Sequence, residues 1–179
     1  MKSQNVLILP GWQGSGPQHW QSLWQASQGF QRVDQHDWQR PLRGDWIARL
    51  EDVVLSADEP VVLVAHSLGC MLVAAWASHT RNAHRVKAAL LVAPGDVELE
   101  ALRPVLASWS PIALQAFAFK STLVASQNDP YCSFARAQDF AAAWGSALVD
   151  AGTVGHINAD SGLGEWPQGQ ALLNELIQA

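Results

Sequence analysis

VVLVAHSLGCMLVAAWAS, residues 61–78, is the chain's most hydrophobic run, and nearly every residue in it is apolar or small except His66 and Ser67. Its length approaches the roughly 18 to 20 apolar residues of a membrane span. Two features argue otherwise. Residues 61–65 are a valine-rich run of strand length, and Gly69 falls where a turn or a close backbone approach is needed. The stretch reads as a strand, a turn and a helix, with the polar pair at the turn.

The rest of the chain repeats this alternation. Residues 5–9, 30–34, 61–65, 88–93, 122–126 and 147–150 are short hydrophobic or alternating runs. Segments with helical spacing lie at 17–28, 45–56, 68–79, 97–108, 133–144 and 168–178. Strand followed by helix implies an α/β fold, a doubly wound, mostly parallel sheet of about six strands joined by right-handed crossovers. The 179 residues, 49% hydrophobic, suit a single domain over 1–179 with a substantial core.

Composition excludes several classes of partner. A formal charge of -5 and a pI near 5.6 give no basic face for nucleic acid or an anionic membrane. The start, MKSQNVLILPGW, has too short an apolar run for a signal peptide. Cys70 and Cys132 are expected as buried thiols in a cytoplasmic protein.

In doubly wound sheets, sites form where strands deliver loops at the carboxyl edge. The third strand exits into A-H-S-L-G, one residue from the nucleophile elbow G-x-S-x-G, with Ala65 in place of the first Gly. The elbow needs small residues two before and two after the serine because the turn is sharp, and Ala65 and Gly69 are both small. Ser67 would then stand above the sheet edge, at the N-terminus of the next helix, where free N–H groups stabilise an oxyanion. The competing reading is an ordinary helix cap on Ser67.

A serine needs a base, and the elbow order puts an acid and then a histidine later in the chain. S-Q-N-D-P-Y places Asp129 after the fifth strand, with Pro130 fixing the turn, and A-G-T-V-G-H-I-N places His156 after the sixth. Alone, Asp129 reads as a turn former and His156 as a cap. In order behind the elbow they read as a Ser67, Asp129, His156 triad. Asp96, in A-P-G-D after the fourth strand, is the rival acid, and its other role is to cap a helix from Val97.

The loop after the first strand, L-P-G-W-Q-G-S-G-P, lets the backbone approach a ligand closely. The N–H of Trp12 is the expected oxyanion donor, paired with that of Leu68. This loop has neither the spacing of a dinucleotide fingerprint nor the Lys of a P-loop. Gly11, Trp12, Trp109 and Trp166 are expected to line the substrate pocket, whereas Trp20, Trp24, Trp46, Trp76 and Trp144, on helices, are expected in the core. His66 is expected to pack beside the elbow. His19, His36, His79 and His84 lack metal-ligand spacing, so no metal is implied.

P-G-W-Q-G-S-G, A-H-S-L-G, S-Q-N-D-P-Y and the long G-H-I-N-A-D-S-G-L-G-E-W-P string together resemble the small α/β-hydrolases of the retinoblastoma-binding serine hydrolase and YdeN-like family. The resemblance spans the chain. It implies a compact α/β-hydrolase fold with little or no lid, a nucleophile at Ser67, an acid at Asp129 and a base at His156, and no cofactor. The L-x-C-x-E string tied to the retinoblastoma-binding member has its nearest counterpart in L-G-C-M-L at 68–72, which lacks the Glu. No protein partner is carried over.

The expected activity is that of a serine hydrolase on a small ester or thioester through an acyl-enzyme. The alternatives are a short-peptide amidase and a non-catalytic scaffold on the same fold.

Overall fold

A computed structural model describes residues 5–178 of the chain. The stretch 61–78 forms a strand, β3, at Val61–His66, a single turn residue, Ser67, and a helix, α3, at Leu68–Ala77. β3 is buried throughout and α3 from Leu68 to Trp76. Among the described residues no helix is long and apolar enough to cross a membrane.

Around this unit the chain runs β1 (Val6–Leu9), α1 (Trp20–Gln28), β2 (Gln31–Arg32), α2 (Arg43–Ser56), β3, α3, β4 (Val86–Val92), α4 (Arg103–Leu106), β5 (Lys120–Ala125), α5 (Phe134–Trp144), β6 (Ala147–Asp150) and α6 (Pro167–Gln178). The 6-stranded sheet has the order β2-β1-β3-β4-β5-β6, and every pairing is parallel. This is the single-domain α/β architecture that the alternating runs imply.

Side chains alternate across a strand, so each strand feeds two cores. Leu7, Leu9, Leu63, Ala65, Ala89, Leu91, Leu123 and Ala125 face the core completed by α2, α3 and α5. Val6, Ile8, Val62, Val64, Ala88, Leu90, Val92 and Val124 face the opposite core, completed by α1 and α6. The tryptophans expected in the core, Trp20, Trp24, Trp46, Trp76 and Trp144, are all fully buried.

Two elements differ from expectation. β2 has two residues rather than the five of 30–34, because it lies at the sheet edge and pairs with β1 alone. The helix expected over 97–108 is absent as such. Turns lead to the four-residue α4, followed by a 3-10 turn at Ala107–Trp109. Pro104 explains this, since it removes a backbone N–H and clashes with the carbonyl four residues before it.

The sharpest packing constraint against backbone is at Gly69, where an added Cβ would lie 2.3 Å from the carbonyl oxygen of Leu9 and 3.0 Å from that of Pro10. Both contacts are backbone and neither can swing away. Gly69→Ala is therefore expected to cost about 3 kcal/mol of stability, because the overlap can be relieved only by separating β1 from α3. Urea denaturation of the two proteins checks this; an unchanged midpoint would mean that the β1–α3 contact is slack.

Candidate active site

Ser67 sits between β3 and α3 with φ 54 and ψ -119, a backbone conformation that a residue with a Cβ rarely adopts. Its N–H donates to the carbonyl of Val92 at 3.0 Å, tying the turn to the end of β4. Glycines crowd it. A Cβ on Gly11 would lie 2.8 Å from that of Ser67, and one on Gly95 3.3 Å from its Oγ. Ser67 makes no side-chain cap for α3, so the helix-cap reading fails.

The loop after β6 brings His156 to this serine, with Nε2 2.9 Å from Ser67 Oγ. On its other side, Nδ1 lies 2.9 and 2.8 Å from the two carboxylate oxygens of Asp129, which leaves the chain after β5. A carboxylate accepts, so Nδ1 carries the imidazole proton and Nε2 is left as the acceptor for the Ser67 hydroxyl. The side chains of His156 and Asp129 are 9% and 3% exposed, so water scarcely competes for these contacts. The three residues singled out in the sequence meet in one hydrogen-bonded line.

Neighbouring loop contacts hold the line in place. Asn128 Oδ1 accepts from the Gly155 N–H at 2.8 Å, and the Ser126 hydroxyl accepts from the Val154 N–H at 3.0 Å. Trp20 Nε1 donates to the carbonyl of Ile157 at 2.8 Å. The rival acid, Asp96, is engaged elsewhere. Its Oδ1 accepts from the Glu98 N–H, and its Oδ2 lies 3.3 Å from Arg136 Nε, which with Glu98 holds that guanidinium. Asp96 thus shapes a turn, without the helix from Val97 that it was expected to cap.

A cavity of about 350 Å³ opens over Ser67. Gly11 and Trp12, two of the four residues expected in the substrate pocket, line it, together with Leu68 and His156. Val97, Leu102, Leu106 and Tyr131 supply apolar wall, and His19, His66 and Asn158 supply polar wall. Among the described residues no Lys, Arg, Asp or Glu lines it. Trp109 and Trp166 do not reach it. Trp109 is 2% exposed, packs on Trp46 and donates to the carbonyl of Pro41; Trp166 is 5% exposed and packs on Trp20 and Trp24. Both expectations followed from loop position, which says nothing about which way an indole turns.

His19, Val97, Leu102, Leu106, Tyr131 and Asn158 were not foreseen as wall residues. His19 caps α1, accepting at Nδ1 from the Gln21 N–H, so its nearness to the serine depends on how α1 docks. Its pKa is pushed down to about 4, first by burial and then by Arg32 and His156. Burial also holds His66 well below its ordinary value, with His19 and His156 adding to the effect. Cys70 and Cys132 are free and buried, and burial pushes the Cys132 thiol up to about 12 and the Cys70 thiol higher still.

The sequence matches the serine hydrolase family over residues 6–175, and the chain belongs to that family. Among solved structures, a protein of Pectobacterium atrosepticum described as a YdeN-like hydrolase superposes with a TM-score of 0.85 at 30% identity, over 97% of this chain and 90% of that one. The ydeN gene product of Bacillus subtilis superposes with a TM-score of 0.78 at 23% identity, over 98% and 100%. Est1E of Butyrivibrio proteoclasticus, solved with ferulic acid bound, shares the fold with a TM-score of 0.74 at 13% identity, over 99% and 91%. No curated protein matches the chain. The protein is a serine hydrolase, as its relationship to YdeN-like α/β-hydrolases also indicates.

The two depressed histidines have a consequence for acid stability. A histidine whose folded pKa lies below its unfolded value binds its proton more readily after unfolding. Stability is then full above the unfolded value of 6.5 and falls as pH drops from there toward about 4. For His19 alone, stability at about pH 5 is expected to be lower than at about pH 7.5 by about 2 kcal/mol. Denaturant titrations at both pH values check this, because the acid loss should shrink by that amount in His19→Asn, whose amide can still cap α1. An equal loss in both proteins would assign the acid sensitivity to other groups.

Proposed function

We propose that the protein hydrolyses small carboxylic esters or thioesters by acyl transfer through Ser67, with His156 as base and Asp129 as its orienting acid. The observation that carries this reading is the 2.9 Å contact between His156 Nε2 and Ser67 Oγ, with Asp129 on the opposite ring nitrogen. In the first half-reaction His156 takes the hydroxyl proton as Oγ bonds to the carbonyl carbon, and returns it to the departing alcohol or thiol. In the second half-reaction water follows the same route, its proton passing to His156 and then to Ser67 as the acyl–Oγ bond breaks. Asp129 stays ionised throughout and stabilises the imidazolium.

The backbone N–H groups of Leu68 and Trp12 serve as the oxyanion hole. Leu68 opens α3, so its N–H has no acceptor within the helix, and Trp12 follows Gly11, whose backbone presses against Ser67. The cavity's volume suits a small substrate, and its apolar wall suits a short acyl chain or leaving group. Two free, buried thiols favour a reducing compartment, in keeping with the cytoplasm.

A fluorophosphonate tests this constellation without knowledge of the natural substrate, since it reacts with a serine that has both an activating base and an oxyanion hole. The adduct should map to the Ser67 peptide, and labelling should slow markedly in His156→Ala. Hydrolysis of a short aryl ester should fall by about 10⁴ or more in Ser67→Ala. Full labelling at another serine would move the nucleophile, and no labelling beside a reactive control hydrolase would favour a scaffold.

The two strand-exit acids separate in the same assay. Asp129→Asn should lower kcat/KM by about 10³ or more, because an amide cannot hold the required imidazole tautomer, while Asp96→Asn loses only a contact to Arg136. The opposite ranking would transfer the orienting role to Asp96.

A further inference from the structure

Gly95, in the loop that leaves β4, stands beside Ser67 without a backbone or packing reason to be glycine. Its φ lies outside the left-handed region that favours glycine. A Cβ built on it would meet Ser67 Oγ first, at 3.3 Å, and then Leu68 N and Ser67 C, each at 3.8 Å. Apart from its chain neighbours, no other heavy atom of the described residues would come closer than 3.8 Å, so a space of methyl size lies open against the serine oxygen. Gly11, on another flank of Ser67, differs. A Cβ there would press on Ser67 Cβ at 2.8 Å and on the carbonyl of His66 at 3.2 Å, so packing alone requires that glycine.

The direction of each substrate arm follows from the groups around Oγ. When Oγ adds to a carbonyl, the oxyanion turns to the N–H groups of Leu68 and Trp12, and the leaving atom lies near His156 Nε2, the nitrogen that hands it a proton. The acyl arm takes the direction that is left. His156 leads to Ile157, in the core of α1 and α6, whereas Gly95 leads to Val97, in the core of α2, α3 and α5. Leu106 belongs to that second core and Leu102 packs against it. Gly95, Val97, Leu102 and Leu106 all line the cavity over Ser67.

Resting on the serine hydrolase reading, we propose that the acyl arm crosses Gly95 toward Val97, Leu102 and Leu106, and that Gly95 sets acyl specificity by admitting apolar acids branched at the carbon next to the carbonyl. That carbon is bonded to the carbon that joins Oγ, so its substituents fall within van der Waals reach of position 95. A hydrogen there leaves room for a branch, and a methyl takes that room. The wall beyond offers no hydrogen-bond partner to a charged or hydroxylated acid, whose polar group would stay desolvated.

Bulk in the alcohol or thiol is taken up on the other side. A second cavity, of about 500 Å³, adjoins the first along Tyr131, His156 and Asn158, and Thr153, Asp160 and Ser161 give it polar lining. A leaving group that departs past His156 opens onto this groove. Ala159, exposed and part of the first cavity's wall, follows Asn158 on that side.

The test measures kcat/KM for phenyl acetate, phenyl 2-methylpropanoate and 2-naphthyl acetate in the wild type, Gly95→Ala and Ala159→Leu. The first pair of esters differs only in acid branching, and the two acetates differ only in the leaving group. Comparing ratios between proteins cancels the intrinsic reactivity of each ester, and a displaced Ser67 Oγ slows all of them alike. The wild type should keep on the branched ester at least about a tenth of its kcat/KM on phenyl acetate. In Gly95→Ala the branched-to-acetate ratio should fall by about tenfold or more, with the naphthyl-to-phenyl ratio held within about twofold. In Ala159→Leu the naphthyl-to-phenyl ratio should fall by about threefold or more and the acid ratio should hold.

If Gly95→Ala does not fold, Leu102→Ala takes its place, because Leu102 is only half-buried and lies on the same wall. It should raise the phenyl hexanoate-to-acetate ratio by about threefold or more and leave the naphthyl-to-phenyl ratio alone. The opposite pairing of variant and ratio, equal falls in both ratios, no change in either, or a wild type that takes phenyl acetate and rejects the branched acid would overturn the acyl assignment and leave the hydrolase reading intact. A wild type that hydrolyses none of these esters would overturn both.

Discussion

The contact between Gly69 and the end of β1 fixes the geometry on which the site depends. With no side chain at Gly69, the first turn of α3 lies against the carbonyls of Leu9 and Pro10. The helix then leaves β3 so steeply that one residue, Ser67, must absorb the whole change of direction, and it does so at φ 54. That strain is held by the packing of β3 and α3, the most deeply buried pair in the molecule, and by the bond from Ser67 N–H to Val92. The same approach brings the loop after β1 beside the serine. The strained turn at Ser67 and the position of the loop beside it are thus two results of one close backbone contact.

The opposite wall is built without comparable strain, by hydrogen bonds between the exits of β5 and β6. Parallel pairing in register, with Ala125 opposite Asp150, delivers both exits to the same edge. Ser126 and Asn128 then bind the N–H groups of Val154 and Gly155, which sets the height of His156 relative to Asp129. Asp129 also accepts from the Tyr131 N–H at 2.8 Å, so its carboxylate is oriented before it meets the imidazole. The polar residues of S-Q-N-D therefore have separate structural tasks, and only the aspartate meets the His156 imidazole.

The parts of this arrangement that were legible in the sequence are those set by local chemistry. Small residues around Ser67, an aspartate before a proline and a histidine after a glycine each mark a turn at a strand exit, and the strand–helix alternation puts those exits on one edge. Side-chain direction at longer range was not legible. Trp109 and Trp166 lie in loops near the site in sequence, yet both turn into the cores because their rings find other tryptophans there. His19 is distant from Ser67 in sequence and reaches the cavity through the docking of α1, which no local pattern encodes. The helix expected over 97–108 shows a different limit, since apolar spacing continued through Pro104 although the backbone could not.

The high tryptophan content reflects how a small chain holds the loops at its sheet edge. Indole N–H groups donate to loop carbonyls throughout the molecule: Trp12 to Gln39, Trp20 to Ile157, Trp24 to Glu165, Trp109 to Pro41 and Trp144 to Ala113. Each such side chain buries a large apolar face in a core and pairs a carbonyl that irregular backbone leaves without a ladder partner. A leucine at these positions would supply the burial and leave the carbonyl open. Trp20 matters most for the candidate site, because its partner carbonyl belongs to Ile157, next to His156 and at φ 48. His156 is therefore anchored from three directions, by Asn128 in the loop after β5, by His66 at the His156 carbonyl and by α1 through Trp20. A loop residue anchored in this way is held as firmly as one on a strand, which fixes the 2.9 Å contact of its Nε2 with Ser67 Oγ.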